Sequence, residues 1–198
     1  MGEKNGGSSN EDAHSIYIND NSVYLTGEFR GTATFENNNI TASGGDDVFI
    51  SKYDANGNLN WVKNIGESDG DNGSYITGST TGEIYVSFKG DDPVFDNKTV
   101  DGYGTFIAKY TNSGDFIEAK KVASNTAWRS KNTLSINSEN QILFSFNFDY
   151  NNSVGSVNIE TKGGYEIAVL KIDNLSDLIT LDPEICIVTL DDDQQKNK

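Results

Sequence analysis

The chain has 198 residues and carries 30 Asp and Glu against 15 Lys and Arg, a formal net charge of −15. A surface of that sign repels phosphate backbones and anionic lipid, so nucleic acid and membrane surfaces are poor partners, and no apolar run approaches the length of a membrane span. With 35% hydrophobic residues, 11% aromatics and 20 Gly, the composition argues against a helical protein and suits many short strands joined by tight turns.

In chain order, Met1-Gly2-Glu3-Lys4 leads into polar sequence, so no signal peptide is present. Met1-Gly2-Glu3 reads like Ile65-Gly66-Glu67 further on, as though residues 1–10 were the end of a preceding unit or a linker. The first complete unit, 11–70, opens with the alternating strand Ser15-Ile16-Tyr17-Ile18. A turn at Asn19–Ser22 leads to a second strand, Val23–Gly27. Thr32–Phe35 and Ile40–Ala42 form a small hairpin, Gly44-Gly45 breaks the chain, and Val48–Tyr53 is a third strand. Ala55-Asn56-Gly57 then turns the chain into a fourth strand, Leu59–Ile65, with glycine available for positive φ.

The second unit, 71–130, keeps that order through Tyr75-Ile76, Ile84–Ser87, the hairpin Val94-Phe95/Thr99-Val100, Thr105–Tyr110, the turn Asn112-Ser113-Gly114 and Phe116–Val122. The third, 131–182, runs through Leu134–Ile136, Ile142–Phe146, Val157–Ile159, Ile167–Ile172 and a last strand near Leu178–Thr180. Lys52 and Lys109 are 57 residues apart, and Lys109 and Lys171 are 62 apart; a period of that size marks stacked supersecondary units. No stretch sustains a 3.6-residue period. The expected fold is all-β, with tandem four-stranded antiparallel blades of a partial β-propeller. Three blades do not close a ring, because propellers have 4–8. The economical expectation is a piece of a longer array, with further repeats of the same polypeptide as neighbours.

Asp12–Ile16, Val23–Gly27, Thr32–Phe35, Thr41–Asp54 and Gly57–Trp61 together resemble the SBBP-type β-propeller repeat of large bacterial secreted and surface proteins, especially of Bacteroidetes. The resemblance covers roughly residues 11–182. The second copy departs from it at Phe88, in place of Gly27, and the third at Ile172, in place of the tyrosine. Asp182–Leu190 resembles the opening strand of fibronectin-III-like modules, which makes 183–198 the start of a following module or a tail. These resemblances imply secretion or cell-surface display and a binding or scaffolding role, and bring no catalytic residues with them. The lone Cys186 leaves the redox compartment unreadable.

Asp54, Asn56 and Asn58 alternate along a turn as oxygen ligands do at the start of a calcium loop. The twelfth position is Ile65 rather than a bidentate Glu, and Asp-x-Asn-Gly is sound hairpin chemistry without a metal, so the turn reading is the stronger. Asp46-Asp47, Asp69 and Asp71 are weaker versions of the same signal. His14, the only histidine, falls at a place taken by Ser74 and Asn132 in the other copies, so a polar residue near a strand start explains it better than general-base chemistry. Trp61, on a fourth strand, is expected to pack between units. Trp128 beside Arg129 sits on the connection 124–131 and is the candidate ligand contact, a stacking platform for a sugar ring; a plug filling a gap between units is the stronger reading of the same residue.

The leading functional expectation is a non-catalytic extracellular segment that binds a glycan or a surface protein through its loops. The alternatives are a propeller-type carbohydrate-active enzyme, a lyase or glycosidase needing converging carboxylates of which Asp91 and Asp92 are examples, and a structural spacer.

Overall fold

A computed structural model describes residues 6–7, 10–66, 70–124, 132–148, 150–155, 157–161, 166–176 and 184–189. Among the described residues the regular structure is β, apart from a 3-10 stretch at 175–176. The first sheet contains β1 (Gly6–Gly7), β2 (Glu11–Asn19), β3 (Ser22–Phe35), β4 (Asn38–Tyr53) and β5 (Leu59–Ile65), of which β2 to β5 form an antiparallel meander. The second consists of β6 (Asn72–Gly78), β7 (Ile84–Asp91), β10 (Tyr103–Tyr110) and β11 (Phe116–Ala123), with a separate two-stranded hairpin of β8 (Val94–Phe95) and β9 (Lys98–Thr99) between its middle strands. The third consists of β12 (Thr133–Ile136), β13 (Ile142–Phe148), β16 (Glu166–Ile172) and β17 (Glu184–Thr189), with the hairpin of β14 (Asn152–Val154) and β15 (Val157–Ile159) in the same place.

Register makes the repeat quantitative. Tyr53 lies opposite Val23 and Leu59; Tyr110 lies opposite Ile84 and Phe116; Ile172 lies opposite Ile142. Even the irregularities recur. A β-bulge interrupts the pairing of the third and fourth strands beside Tyr53 and again beside Tyr110. The first two strands are bulged between Ala13 and Ser15 and again between Gly73 and Tyr75, so His14 and Ser74 each occupy the extra position.

Strands whose two faces are both apolar read as continuous hydrophobic runs, and Ile84-Tyr85-Val86-Ser87-Phe88 is buried at every position. Side chains directly opposite in an antiparallel pair share a face. On the second sheet, Ile84, Val86, Phe88, Phe106, Ala108 and Tyr110 pack against Tyr24, Val48, Ile50 and Ile65 of the first. Tyr85, Ile107 and Val122 face the other way, into a core built from Leu134, Ile142, Phe144, Phe146, Ala168 and Leu170 of the third. The sheets are therefore stacked in chain order with the second sandwiched.

They also splay. The first strands approach one another, β2 against β6 and β6 against β12. At the other edge the hairpins fill the widening gap: β8 touches β5, and β14 touches β11. Phe95 of the first of these hairpins is fully buried and stacks on Phe116 at 4.7 Å, with Phe88 at 5.8 Å. Val154 and Ile159 do the same work in the third unit.

Three expectations need correction. The hairpin 32–42 is not separate in the first unit: β3 and β4 run on through it, with a bulge at Gly31, whose φ is 69°. Gly44-Gly45 lies inside β4; what breaks is the ladder, because Arg30 pairs with Asp46 and Thr32 with Thr41, leaving four residues opposite Gly31. The fourth strand of the third sheet is Glu184–Thr189, paired with β16 from Lys171 to Glu166, so a segment read as the opening of a following module closes this sheet instead. The strand expected near Leu178–Thr180 falls outside the described residues.

Tyr110 is 1% exposed, whereas its counterpart Tyr53 is only half-buried. Tyr110→Ala is expected to cost about 3–4 kcal/mol in urea unfolding and Tyr53→Ala about half as much; equal costs would contradict the sandwiched position of the second sheet.

Candidate functional site

One five-residue turn occurs four times at the same end of the sheets, over 54–58, 79–83, 111–115 and 137–141. In each, the first residue's N–H donates to the fifth residue's carbonyl, and the fourth residue's N–H donates to the first residue's carbonyl. The fourth residue has positive φ: Gly57 at 86°, Gly82 at 87°, Gly114 at 88° and Asn140 at 62°. The first residue is always a short acceptor, Asp54, Ser79, Thr111 or Asn137, and its side-chain oxygen receives the fifth residue's N–H at 2.9–3.0 Å. Short polar side chains compete for the backbone in this way wherever a turn leaves an N–H without a ladder partner.

That geometry decides what Asp54, Asn56 and Asn58 do. Oδ1 of Asp54 accepts the Asn56 N–H at 2.8 Å and the Asn58 N–H at 2.9 Å, while Oδ2 accepts the Asn58 amide at 2.8 Å. The hydrogen bonds from Asn58, then those from Asn56, hold the carboxyl below its usual range. The two asparagines point donors at Asp54, whereas a cation needs oxygens. Among the described residues no group of three or more His, Cys, Asp or Glu is placed to hold a metal ion. Trp128 and Arg129 lie outside the described residues, as does Asp69.

Trp61 packs between the first and second sheets. Its ring lies 6.2 Å from Tyr24, and its Nε1–H donates to the Asn112 carbonyl at 3.2 Å. Asn112 gathers more: its side-chain oxygen accepts the Tyr24 hydroxyl at 2.8 Å and the Lys52 ammonium. The turn of one sheet is thus tied to the face of its neighbour. Thr80 repeats the arrangement between the second and third sheets, giving its N–H and hydroxyl to the Asn140 side chain at 2.9 and 2.8 Å. Beside these ties lies a cleft of about 460 Å³, lined by Tyr17, Asn19, Asp20, Thr80, Thr81 and Asn112 among others.

At the opposite end a second cleft, of about 330 Å³, is lined by Asn10, Asp12, Glu28, Arg30 and Asp46. Alternation along β3 puts Glu28 and Arg30 on one face, and pairing brings Asp46 opposite Arg30 and Asp12 opposite Glu28. Arg30 grips Asp46 with two bonds, of 2.9 and 2.8 Å. Glu28 accepts the Asn72 amide from the second sheet at 2.6 Å. Burial lifts the Glu28 carboxyl above its usual range; His14 pulls it down, Asp46 and Asp12 push it up, and the Asn72 amide pulls it down. The cleft can donate and accept hydrogen bonds along a polar ligand, and its carboxyl at Glu28 holds a proton more readily than an exposed glutamate. Asp91 and Asp92 sit elsewhere, at the hairpin end of β7, where Asp92 accepts the Gly102 N–H to close its loop.

Of these residues, sequence reasoning picked out Asp46 and missed Asp12, Glu28, Arg30 and Asn112. The alternating Glu28-x-Arg30 on a strand was the available signal for the cleft. No protein-family model matches the chain, and no curated protein matches it.

Glu83 fixes its turn to the second sheet. Burial pushes its carboxyl up, but the Lys109 ammonium at 2.8 Å, with the Thr81 and Ser79 hydroxyls, outweighs burial and holds it below its usual 4.5. A depressed carboxyl contributes stability above its unfolded value and loses it as pH falls through its folded one. Glu83→Gln is expected to lower stability at neutral pH by about 0.5–1 kcal/mol, and the difference from the parent should vanish well below pH 4.5 in paired urea titrations.

Two glycines separate backbone strain from steric contact. A Cβ on Gly57 meets nothing within 4 Å, whereas one on Gly114 comes within 2.9 Å of the Trp61 ring. Gly57→Ala is expected to cost about 1 kcal/mol from positive φ alone, and Gly114→Ala measurably more in the same denaturation assay.

Proposed function

We propose that this chain is a propeller-type scaffold segment of a secreted or cell-surface protein, non-catalytic, which presents its turns and connecting loops to a glycan or to another surface protein. The observation that carries the propeller part is the splay: first strands packed edge to edge, with a hairpin wedged at the far edge of each successive sheet. Radial sheets need that wedge because the space between them grows outward. The display part is supported by the turns, whose backbones are held by their own side chains, so the residues at their tips are free to differ. The resemblance to secreted SBBP-type repeats supports the location, and the place of Trp128 beside Arg129 on the connection 124–131 of the sequence supports a stacking contact for a sugar ring.

A second reading, an enzyme acting on polysaccharide, is favoured by one feature. Glu28 is a carboxyl with raised proton affinity, and it shares a cleft with Asp12 and Asp46. Retaining and inverting glycosidases both need such a proton donor beside a second carboxylate.

A glycan array with a parallel assay for released reducing ends separates these readings. The scaffold reading expects binding without turnover, a loss of at least tenfold in Trp128→Ala, and no effect of Glu28→Gln. Turnover that disappears in Glu28→Gln would replace it with the enzyme.

A further inference from the structure

The repeat supplies its own control for the cleft at the turn end, between the first and second sheets. Tyr17, Thr77 and Ser135 hold one register place, opposite Tyr24, Tyr85 and Leu143. Ile18, Gly78 and Ile136 hold the next, opposite Val23, Ile84 and Ile142. Tyr17 lies against Gly78: a Cβ there would come within 2.4 Å of the ring and 2.7 Å of its hydroxyl. The equivalent pair one interface further on is Thr77 and Ile136. An aromatic ring laid on a glycine is therefore peculiar to the first interface, and stacking alone does not demand it. Tyr17 stays half-buried and lines the cleft. Part of the lining is held in place. Asn112 is fixed by Tyr24 and Lys52, Thr80 by Asn140, and Thr81 by Ser79 and Glu83. The rest is free to bond: the Tyr17 hydroxyl, the Asn19 amide and the Asp20 carboxylate make no side-chain hydrogen bond among the described residues. Their backbone is fixed nonetheless, because Asp20 and Asn21, at φ of 45° and 59°, form the two-residue turn that matches strand twist.

We infer that this cleft binds one uncharged pyranose unit of a glycan. The inference rests on the glycan arm of the scaffold reading and gives it a place apart from Trp128. At about 460 Å³ the cleft falls within the roughly 300–1,000 Å³ of small-ligand pockets. A sugar ring offers C–H groups along its faces and hydroxyls around its edge. Tyr17 meets the first with the apolar body of its ring and the second with its hydroxyl. The Asp20 carboxylate accepts from hydroxyls, and the Asn19 amide both donates and accepts. Groups already held in place lose little freedom on binding, which favours a small ligand with few contacts. Charge sets the class. No cationic side chain is among the residues that line the cleft, and Asp20 stands at its edge on a chain of net charge −15. An acidic sugar would bring its carboxylate to Asp20 with nothing to pair it, so the site discriminates against uronic acids by repulsion.

Saturation-transfer NMR and calorimetric titration of the full chain with a panel of methyl pyranosides test this, with the matching uronic acids as the charged comparison. The expected result is saturable binding of at least one neutral pyranoside and at least tenfold weaker binding of its uronic acid. Tyr17→Ala and Asn19→Ala are each expected to weaken binding at least tenfold, and Trp128→Ala to leave it unchanged. Thermal melting identifies a variant that fails to fold; Asn19→Ala, which removes a side chain without bonds of its own, carries the test if Tyr17→Ala does. Absence of saturable binding by every neutral pyranoside overturns the inference, and a glycan array that still gives signal would leave the scaffold reading standing. Binding that survives Asn19→Ala and a folded Tyr17→Ala but disappears in Trp128→Ala also overturns this site while upholding that reading. Uronic acids that bind as tightly as their neutral partners overturn the assignment of an uncharged ligand.

Discussion

The second sheet is apolar on both faces, and that constraint organises the rest. A strand such as Ile84–Phe88, buried at all five positions, cannot leave one side to water, so this sheet must be covered twice. Stacking identical units meets the requirement with one kind of interface, reused at each step. Bulky residues at the far edge then become necessary, because twisted sheets that touch along one edge separate along the other. Phe95 and Val154, both fully buried, sit where that gap opens, on two-stranded hairpins that pair with neither of the four-stranded sheets beside them.

Burial on two faces leaves little room for charge within the sheets, and the cations that remain on the strands are used locally. Lysine recurs at 52, 109 and 171, each time opposite a residue of the neighbouring strand on the same face. Lys52 reaches over the Tyr24 ring to the Asn112 turn, and Lys109 lies over the Tyr85 ring while pairing with Glu83. A long alkyl stem lets such a side chain cover an aromatic face while its ammonium ties down a loop. The same position therefore couples the packing of a sheet to the placement of a turn.

The repeat was legible because it depends on identity at a fixed spacing, and spacing survives divergence. Ile16, Ile76 and Leu134, aligned from sequence, share a register place, and His14 aligned with Ser74 marks the same bulge. Trp61 between sheets was also readable, from its place on a fourth strand. Other features depend on pairing that local sequence does not encode. Whether a hairpin continues its parent strands, as at 32–41, or detaches, as at 94–99, is decided by where a bulge falls and by what lies behind it. Glu184–Thr189 has the β-branched character of any opening strand, and only its ladder with β16 assigns it to the third sheet. The acidic cleft joins residues from β2, β3 and β4 to an amide from β6, and no single motif contains that convergence.

The four matching turns show how such a frame can be constant while its surface varies. In each, the first and fifth residues exchange backbone and side-chain bonds, and the fourth supplies the positive φ. The third residue is bonded to the first or fifth in every copy, but the second carries none of those duties, and it reads Ala55, Thr80, Asn112 and Ser138. Thr80 and Asn112 have been taken up in ties between sheets. Ala55 and Ser138 are exposed at the tips. A position released from folding duties can be recruited by a neighbour or by a ligand without cost to the turn that carries it. That separation, more than any one residue, is what makes a stack of repeats suited to presenting contacts.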